Sequence, residues 1–491
     1  MDYDGLHNAM TNEANKQAGL LRRFGLAGAV IVTTCLAASA TVFGYGVDSN
    51  IAWTVTANTT IAPKYCMGTI QAGTGSTGFF TITVPAVTGF PENCVVDITN
   101  GDTTTLRGKG IAGLPSNVFG CTNQAILWPG QTCKIGIVNG AWTVLARPGR
   151  WHMQNAVNFF TDFTKGNDTK GATDGLAPGT SAFKSVNECL NVFAGQLDWD
   201  SINATKAICN MAAATTDTQG VHASYHNLPG AQGGLAMQVV GASLPVTGAA
   251  GNGGRCEIAI PSTATYAANE IVSVYGIGGA TGCNGTWQVA VTDATHLTLQ
   301  GTTFGGSYTS GGTVTNGSAF SVAGNPAAAC YFGTVMAFFN VYFKSTTNAF
   351  VATDGCVVQI QSGNVFGGGS EQSLIQGTGG GRVLLDGDIG IASGASNYAI
   401  QMIGQSIFLA ESNGHINLLP GINPSYAAFA YADTQGQANF AGMTINLNGN
   451  TVTGKRCEAD TLGLVNSGTG TPNSYFPGNS NCTTSVGGQA N

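Results

Sequence analysis

Charge is what this sequence has least of. Of its 491 residues, 18 are Lys or Arg and 25 are Asp or Glu, so 9% are charged, against roughly a quarter in ordinary soluble domains. So few charges cannot clothe many separate globules, and the net charge of -7 is spread along the chain. No basic patch interleaved with aromatics is present, which disfavours a nucleic-acid partner. The cysteines contain no C-x-x-C, the usual spacing of a tetrahedral zinc site. His222 and His226, in H-A-S-Y-H, have the spacing of a helical metal pair. They lack the acidic residue that a metalloprotease helix places between them, and their surroundings are strand-like. Gly-rich runs such as G-T-G-G-G-R do not open a helix after a strand, so the phosphate-cradling pattern is also missing. The sequence therefore predicts no metal and no cofactor.

What is present is apolar and β-forming. Apolar residues make up 43% of the chain and Gly contributes 72 positions. That supports large cores and, at about 150 residues per domain, two to four units. Uncharged surfaces rich in Gly, Thr, Asn, Ser and Ala suit stacked extended structure. The start differs. Residues 1–24 hold most of the local charge and read as a polar docking segment, and residues 25–46 read as an apolar helix. Arg22, Arg23 and Ala38-Ser39-Ala40 fit a secretory signal, although the charged lead is long for one. The apolar run is also long enough for a membrane anchor or for a helix that docks inside a larger assembly, and all three readings stay open.

Residues 51–150 carry runs such as A-W-T-V-T-A and V-V-D-I-T-N between Gly, Pro and Asn turns, which predicts an all-β domain. Asn139 and Gly140 suit the two positive-φ positions of a type I′ turn, so the runs on either side should form a hairpin. Five short strands over 246–317 predict a small inserted barrel or sandwich. From 318 to 465, strands recur at intervals of roughly 10 and 20 residues without helices between them, the pattern of a solenoid. A right-handed parallel β-helix is expected, with residues 466–491 as a C-terminal tail. Within 151–245 one helical pattern stands out: Phe183, Val186, Leu190 and Phe193 share a face over 181–194. A solenoid exposes the edge and core of its first rung, and this helix is expected to cap it.

Two stretches resemble known families. The stretch from 159 to 190 carries Gly166, Asp168, Asp174, Gly175, Leu176, Pro178, Gly179, Thr180, Ala182 and Phe183. It resembles the segment that opens pectate-lyase-like β-helices in phage tail fibre and tailspike proteins. Further likenesses are Ala427 to Ala432, Tyr475 to Asn479 and Gly487-Gly488-Gln489, and the resemblance extends over about 430 residues. The inserted region, through Asn284 to Trp287, Asp293 to Leu297 and Tyr308 to Gly312, is similar to a small β module of phage structural proteins. It departs from that module at Cys256 and Cys283, where other residues are expected, and this departure within one compact unit suggests that the two form a disulfide. Buried free thiols are the plainer reading of the 13 cysteines, whose odd total leaves at least one without an intrachain partner.

The resemblance implies a homotrimer that joins other virion proteins through residues 1–46 and meets a host-surface glycan, on a virion or, if cellular, outside the cell. Some members of this fold cleave polysaccharide. Asp386 and Asp388, in V-L-L-D-G-D-I-G-I, would share one strand face about 7 Å apart, near the low end of the inverting-glycosidase window of about 6.5–9.5 Å. A lone D-x-D is by default a solvated turn pair. Asp388 and Glu411 would stack if a rung were about 23 residues long, while Glu371 and Glu411 otherwise read as surface residues. Trp151, Trp199 and Trp287 are expected in cores rather than on sugars. The leading expectation is a structural fibre or spike for host attachment. A polysaccharide-degrading tailspike and a secreted adhesin or surface filament protein are the alternatives.

Overall fold

The computed structural model describes residues 51–75, 80–102, 109–113, 126–127, 130–146, 151–152, 157–168, 175, 177–198, 206–224, 237–410, 414–440 and 443–491. Residues 1–50 fall outside that set, so the readings of the docking and apolar segments are not addressed by it.

Within it the chain is all-β, and its main body is a right-handed parallel β-helix with three faces. The first face stacks ten strands from Val157–Thr161 to Gln489–Ala490. The second stacks seven from Thr216–Asp217 to Thr444–Asn446, and the third stacks eight from Val221–Ser224 to Thr483–Thr484. Alternation along each strand decides which side chains fill the interior. In Val357–Gln361, Val358 and Ile360 are fully buried while Val357, Gln359 and Gln361 point outward. Inside, aromatic rings stack from rung to rung, as with Phe343 and Phe366, whose centroids lie 5.0 Å apart and nearly parallel. Such buried rings contribute roughly 2–3 kcal/mol each.

The solenoid continues past 465. Thr483–Thr484 and Gln489–Ala490 pair in parallel with the preceding rung, and a disulfide joins Cys457 to Cys482. The expected tail is thus largely a further partial rung.

The cap forms with a shifted boundary. The helix spans Val186–Gln196, because Pro178 and Gly179 lead into a short 3-10 turn and the Ser185 hydroxyl accepts the Glu188 N–H at the helix start. Phe183 is consequently not on the helix. It bridges Thr161 in parallel and lies buried beside Phe159. Val186 and Leu190 are fully buried; the Phe193 side chain lies outside the described residues. The helix shares the solenoid core beside the first rung. Asn187 accepts the backbone N–H of His222 and donates to the Gly220 carbonyl, pairing an edge of the first rung, and Cys189 is disulfide-bonded to Cys209.

The residues that open the helix explain their own identities. Asp168 accepts the N–H groups of Lys184 and Ser185. At Gly175, φ is +81° and an added Cβ would meet the Phe183 ring at 2.1 Å, so only glycine fits.

Two further units accompany the solenoid. Residues 51–146 form a five-stranded and a four-stranded sheet whose early strands pair in parallel, ending in the expected hairpin. Asn139 and Gly140 both have positive φ there, and Thr132–Val138 pairs antiparallel with Ala141–Ala146. The second unit interrupts the chain between Met237–Val240 on the first face and Ala319–Val322 on the second. It is a seven-stranded antiparallel sheet closed around its own core. Trp287 is buried in it, and Cys256 and Cys283 form the expected disulfide, with Cα atoms 5.6 Å apart. Trp151's side chain and Trp199 are outside the described residues.

This module folds back onto the second face. Its Tyr275 hydroxyl donates to Asn340 at 2.7 Å, Ile271 packs beside Val365, Ala392 and Leu419, and Gly390 leaves room for Thr286. Five disulfides lie among the described residues, with Cys66–Cys94 and Cys330–Cys356 completing the set. The reading of the cysteines as buried free thiols is therefore wrong for these ten. Among the described residues no helix is long and apolar enough to cross a membrane.

Candidate functional site

The D-x-D pair does not share a strand face. Asp386 ends the first-face strand Arg382–Asp386, Gly387 turns the chain at φ +137°, and Asp388 precedes the second-face strand Ile389–Ile391. The two carboxylates thus stand on either side of a corner. Asp386 accepts the Gln361 side-chain amide at 2.9 Å. Asp388 accepts the backbone N–H of His415 at 3.0 Å, and its oxygen lies 2.6 Å from the His415 ring. The offset is 27 residues, so His415, rather than Glu411, occupies the position stacked over Asp388. Glu411 itself lies outside the described residues. Glu371 is not a surface residue: it is buried, accepts the N–H groups of Ser345 and Gly369, and ties a loop to the solenoid. His222 lies on a strand, so helical spacing with His226, which is outside the described residues, does not arise.

A denser constellation sits on the third face. Strands Ser373–Gly377, Tyr398–Ile403, Ser425–Asp433 and Thr453–Ala459 lie in parallel there. The register lines up the outward-facing Gln376, Gln401, Tyr431 and Glu458 across successive rungs. Asp433 closes the strand that carries Tyr431, and Asp460 follows the strand that carries Glu458. The Tyr398 and Tyr431 rings stack with centroids 4.2 Å apart and planes within 10°. Below them run side-chain amides: Gln376 donates to Gln401 at 2.8 Å, and Ser373 donates to the same oxygen at 2.8 Å. Above them, Glu458 is paired with Lys455, and Asp460 accepts the Ser485 hydroxyl at 2.6 Å.

Beside the carboxylates, a groove of about 360 Å³ runs along the corner between the third and first faces. It is lined by Gly404, Gln405, Thr434, Gln435, Thr461 and Leu462.

Protonation defines what this surface can offer. Burial works against the charged form of Asp433, but hydrogen bonds from Thr461, Thr434 and Tyr431 outweigh it and hold the carboxyl below its ordinary value. Asp433 is therefore an acceptor at neutral pH rather than a proton donor. Burial and the nearby Asp433 carboxylate push the Tyr431 phenol up; burial, Glu458, Asp460 and Asp433 do the same to Tyr398. Both phenols stay protonated and able to donate. The stacked rings cover one face of each other and stand among fixed acceptors and amides, a setting that matches a ligand with a hydroxylated rim.

Among the described residues, no group of three or more His, Cys, Asp or Glu is placed to hold a metal ion. No protein-family model matches the chain, and no curated protein or solved structure matches it.

Sequence reasoning missed this site because its members stand on four rungs of unequal length. One signal was readable: Tyr431-Ala432-Asp433 and Glu458-Ala459-Asp460 repeat a polar-Ala-Asp pattern in register.

Proposed function

We propose that the chain is a structural fibre or spike protein of a phage or phage-like particle. In this reading its β-helix carries attachment to a host-surface glycan at the Tyr398–Tyr431 site, and residues 1–46 join it to other virion proteins. A β-helix is compatible with a fibre, spike or adhesin role, and five disulfides fit an oxidising, extracellular setting. The observation that carries the attachment reading is the stacked, half-buried tyrosine pair ringed by Asp433, Glu458 and Asp460. In this reading a sugar packs its C–H groups against the outer edges of the pair and hydrogen-bonds through its hydroxyl groups to the phenols and carboxylates.

The test is retention of bacterial surface polysaccharides on the immobilised full chain. The wild type should retain at least one acidic-poor, hydroxyl-rich glycan, and Tyr431→Ala should lose at least ten-fold in affinity. Retention unchanged in Tyr431→Ala and Tyr398→Ala would place attachment elsewhere.

The Asp388–His415 pair supports a second reading, a polysaccharide-degrading tailspike, because a carboxylate orienting an imidazole is the core of an acid-base pair. That reading requires chain shortening of the retained glycan that disappears in Asp388→Ala. A secreted adhesin would use the same third-face site, and sequencing the N-terminus of the mature chain separates it from the virion reading.

A further inference from the structure

The second face stops one rung before the other two. Its last strand is Thr444–Asn446, while the third and first faces gain Thr483–Thr484 and Gln489–Ala490. Where the next second-face strand would lie, the chain forms a short helix, Pro472–Tyr475, with proline at its start. A helix cannot continue the hydrogen-bond ladder of a strand edge. The mismatch leaves a cavity of about 510 Å³, a size typical of ligand sites. Ile445, Leu447 and Val452 give it an apolar wall. Most polar groups of its lining are already committed. Asn450 donates to the Leu419 and Leu447 carbonyls and accepts the Asn423 N–H. The Ser474 and Tyr475 hydroxyls donate to the Thr471 and Met443 carbonyls. Asn473 and Asn479 are committed on one side only. Their oxygens accept the N–H groups of Cys482 at 2.6 Å and Gly454 at 2.9 Å, which leaves each amide nitrogen free to donate. Arg456 is half-buried beside them, its backbone N–H held by the Ser480 carbonyl. Its guanidinium has no hydrogen bond or ion pair among the described residues. The nearest acid along its strand, Glu458, is taken by Lys455 and the Thr483 hydroxyl, and the lining holds no Asp or Glu.

We propose that this cavity binds the carboxylate of an acidic sugar, with Arg456 as its cationic fork and the Asn473 and Asn479 amides as flanking donors. The uncommitted groups are one permanent cation and two amide donors, with the Thr451 hydroxyl able to serve either way. Such a set selects a group that only accepts hydrogen bonds. A planar guanidinium matches the two oxygens of a carboxylate. A lone inorganic anion would fill little of the cavity and leave its apolar wall unused, whereas a sugar ring bearing the carboxylate covers both. The site shares no residue with the Tyr398–Tyr431 site, and the proposal does not depend on the attachment reading.

The test is titration calorimetry of the full chain with a glucuronate-containing tetrasaccharide, its neutral glucose-containing counterpart and inorganic phosphate, with circular dichroism as the check on folding. The wild type should bind the acidic sugar saturably, and the neutral sugar and phosphate at least ten-fold more weakly. Arg456→Gln should lose at least ten-fold in affinity for the acidic sugar with an unchanged β spectrum. Asn473→Asp and Asn479→Asp keep the oxygen that accepts the backbone N–H and exchange the free donor for an acceptor, so each should lose at least as much. A wild type without saturable binding, or variants that bind like the wild type, overturns the site. Equal affinity for the neutral sugar overturns the role of the carboxylate. Phosphate bound as tightly as the acidic sugar would mean an adventitious ion only and overturns the sugar assignment.

Discussion

Asp217 shows how far burial can move one side chain here. It has no exposed surface, and although the N–H groups of Gln219, Gly220 and Val186 favour its charged form, burial pushes its carboxyl up to about 7. The unfolded chain would release that proton near pH 4. Between about pH 4 and pH 7 the folded protein therefore holds more protons than the unfolded one, and stability falls as pH rises through that window. The contribution amounts to up to about 4 kcal/mol, at 1.36 kcal/mol per pH unit. Melting temperatures measured from pH 4 to pH 8 should show this downward component in the wild type and not in Asp217→Asn. Equal slopes in the two proteins would mean that Asp217 is ionised throughout. Nothing in the sequence distinguished Asp217 from other turn aspartates, since its burial depends on the cap helix and the neighbouring rung.

At the scale of elements, the cap helix holds together the first rung through Leu190, Asn187 and the Cys189–Cys209 bridge. Leu190 is fully buried, so Leu190→Ala should cost about 2–5 kcal/mol by leaving a cavity at the mouth of the core. Urea unfolding at constant slope is the measurement; a loss below about 1 kcal/mol would mean that the helix is peripheral. The helix was legible because its apolar spacing repeats locally. Its first turn was not, because Phe183 has the right spacing but is recruited to a bridge with Thr161, a contact 22 residues away in sequence. The Asn139-Gly140 hairpin was legible for the same reason as the helix: its geometry is set by two adjacent residues. The D-x-D failed because Gly387 at φ +137° puts a corner where alternation suggested a continuous strand.

For the whole molecule, solenoid order follows from short strands with Gly and Asn corners, which the sequence displays throughout. Which residues stack does not follow, because the rungs differ in length and a whole module is inserted into one of them. That is why His415 over Asp388, and Tyr398 against Tyr431, were invisible until the register was known. The module overlies the second face and leaves the third, with its tyrosine pair, to solvent. On the attachment reading, the third face holds a glycan without cutting it. The deciding measurement is the mass, by light scattering after elution, of a retained surface polysaccharide incubated with the protein. Polymer should elute at its original length from the wild type, and none should be held by Tyr398→Ala/Tyr431→Ala. Shortened polymer, or polymer held equally by the double variant, would contradict it.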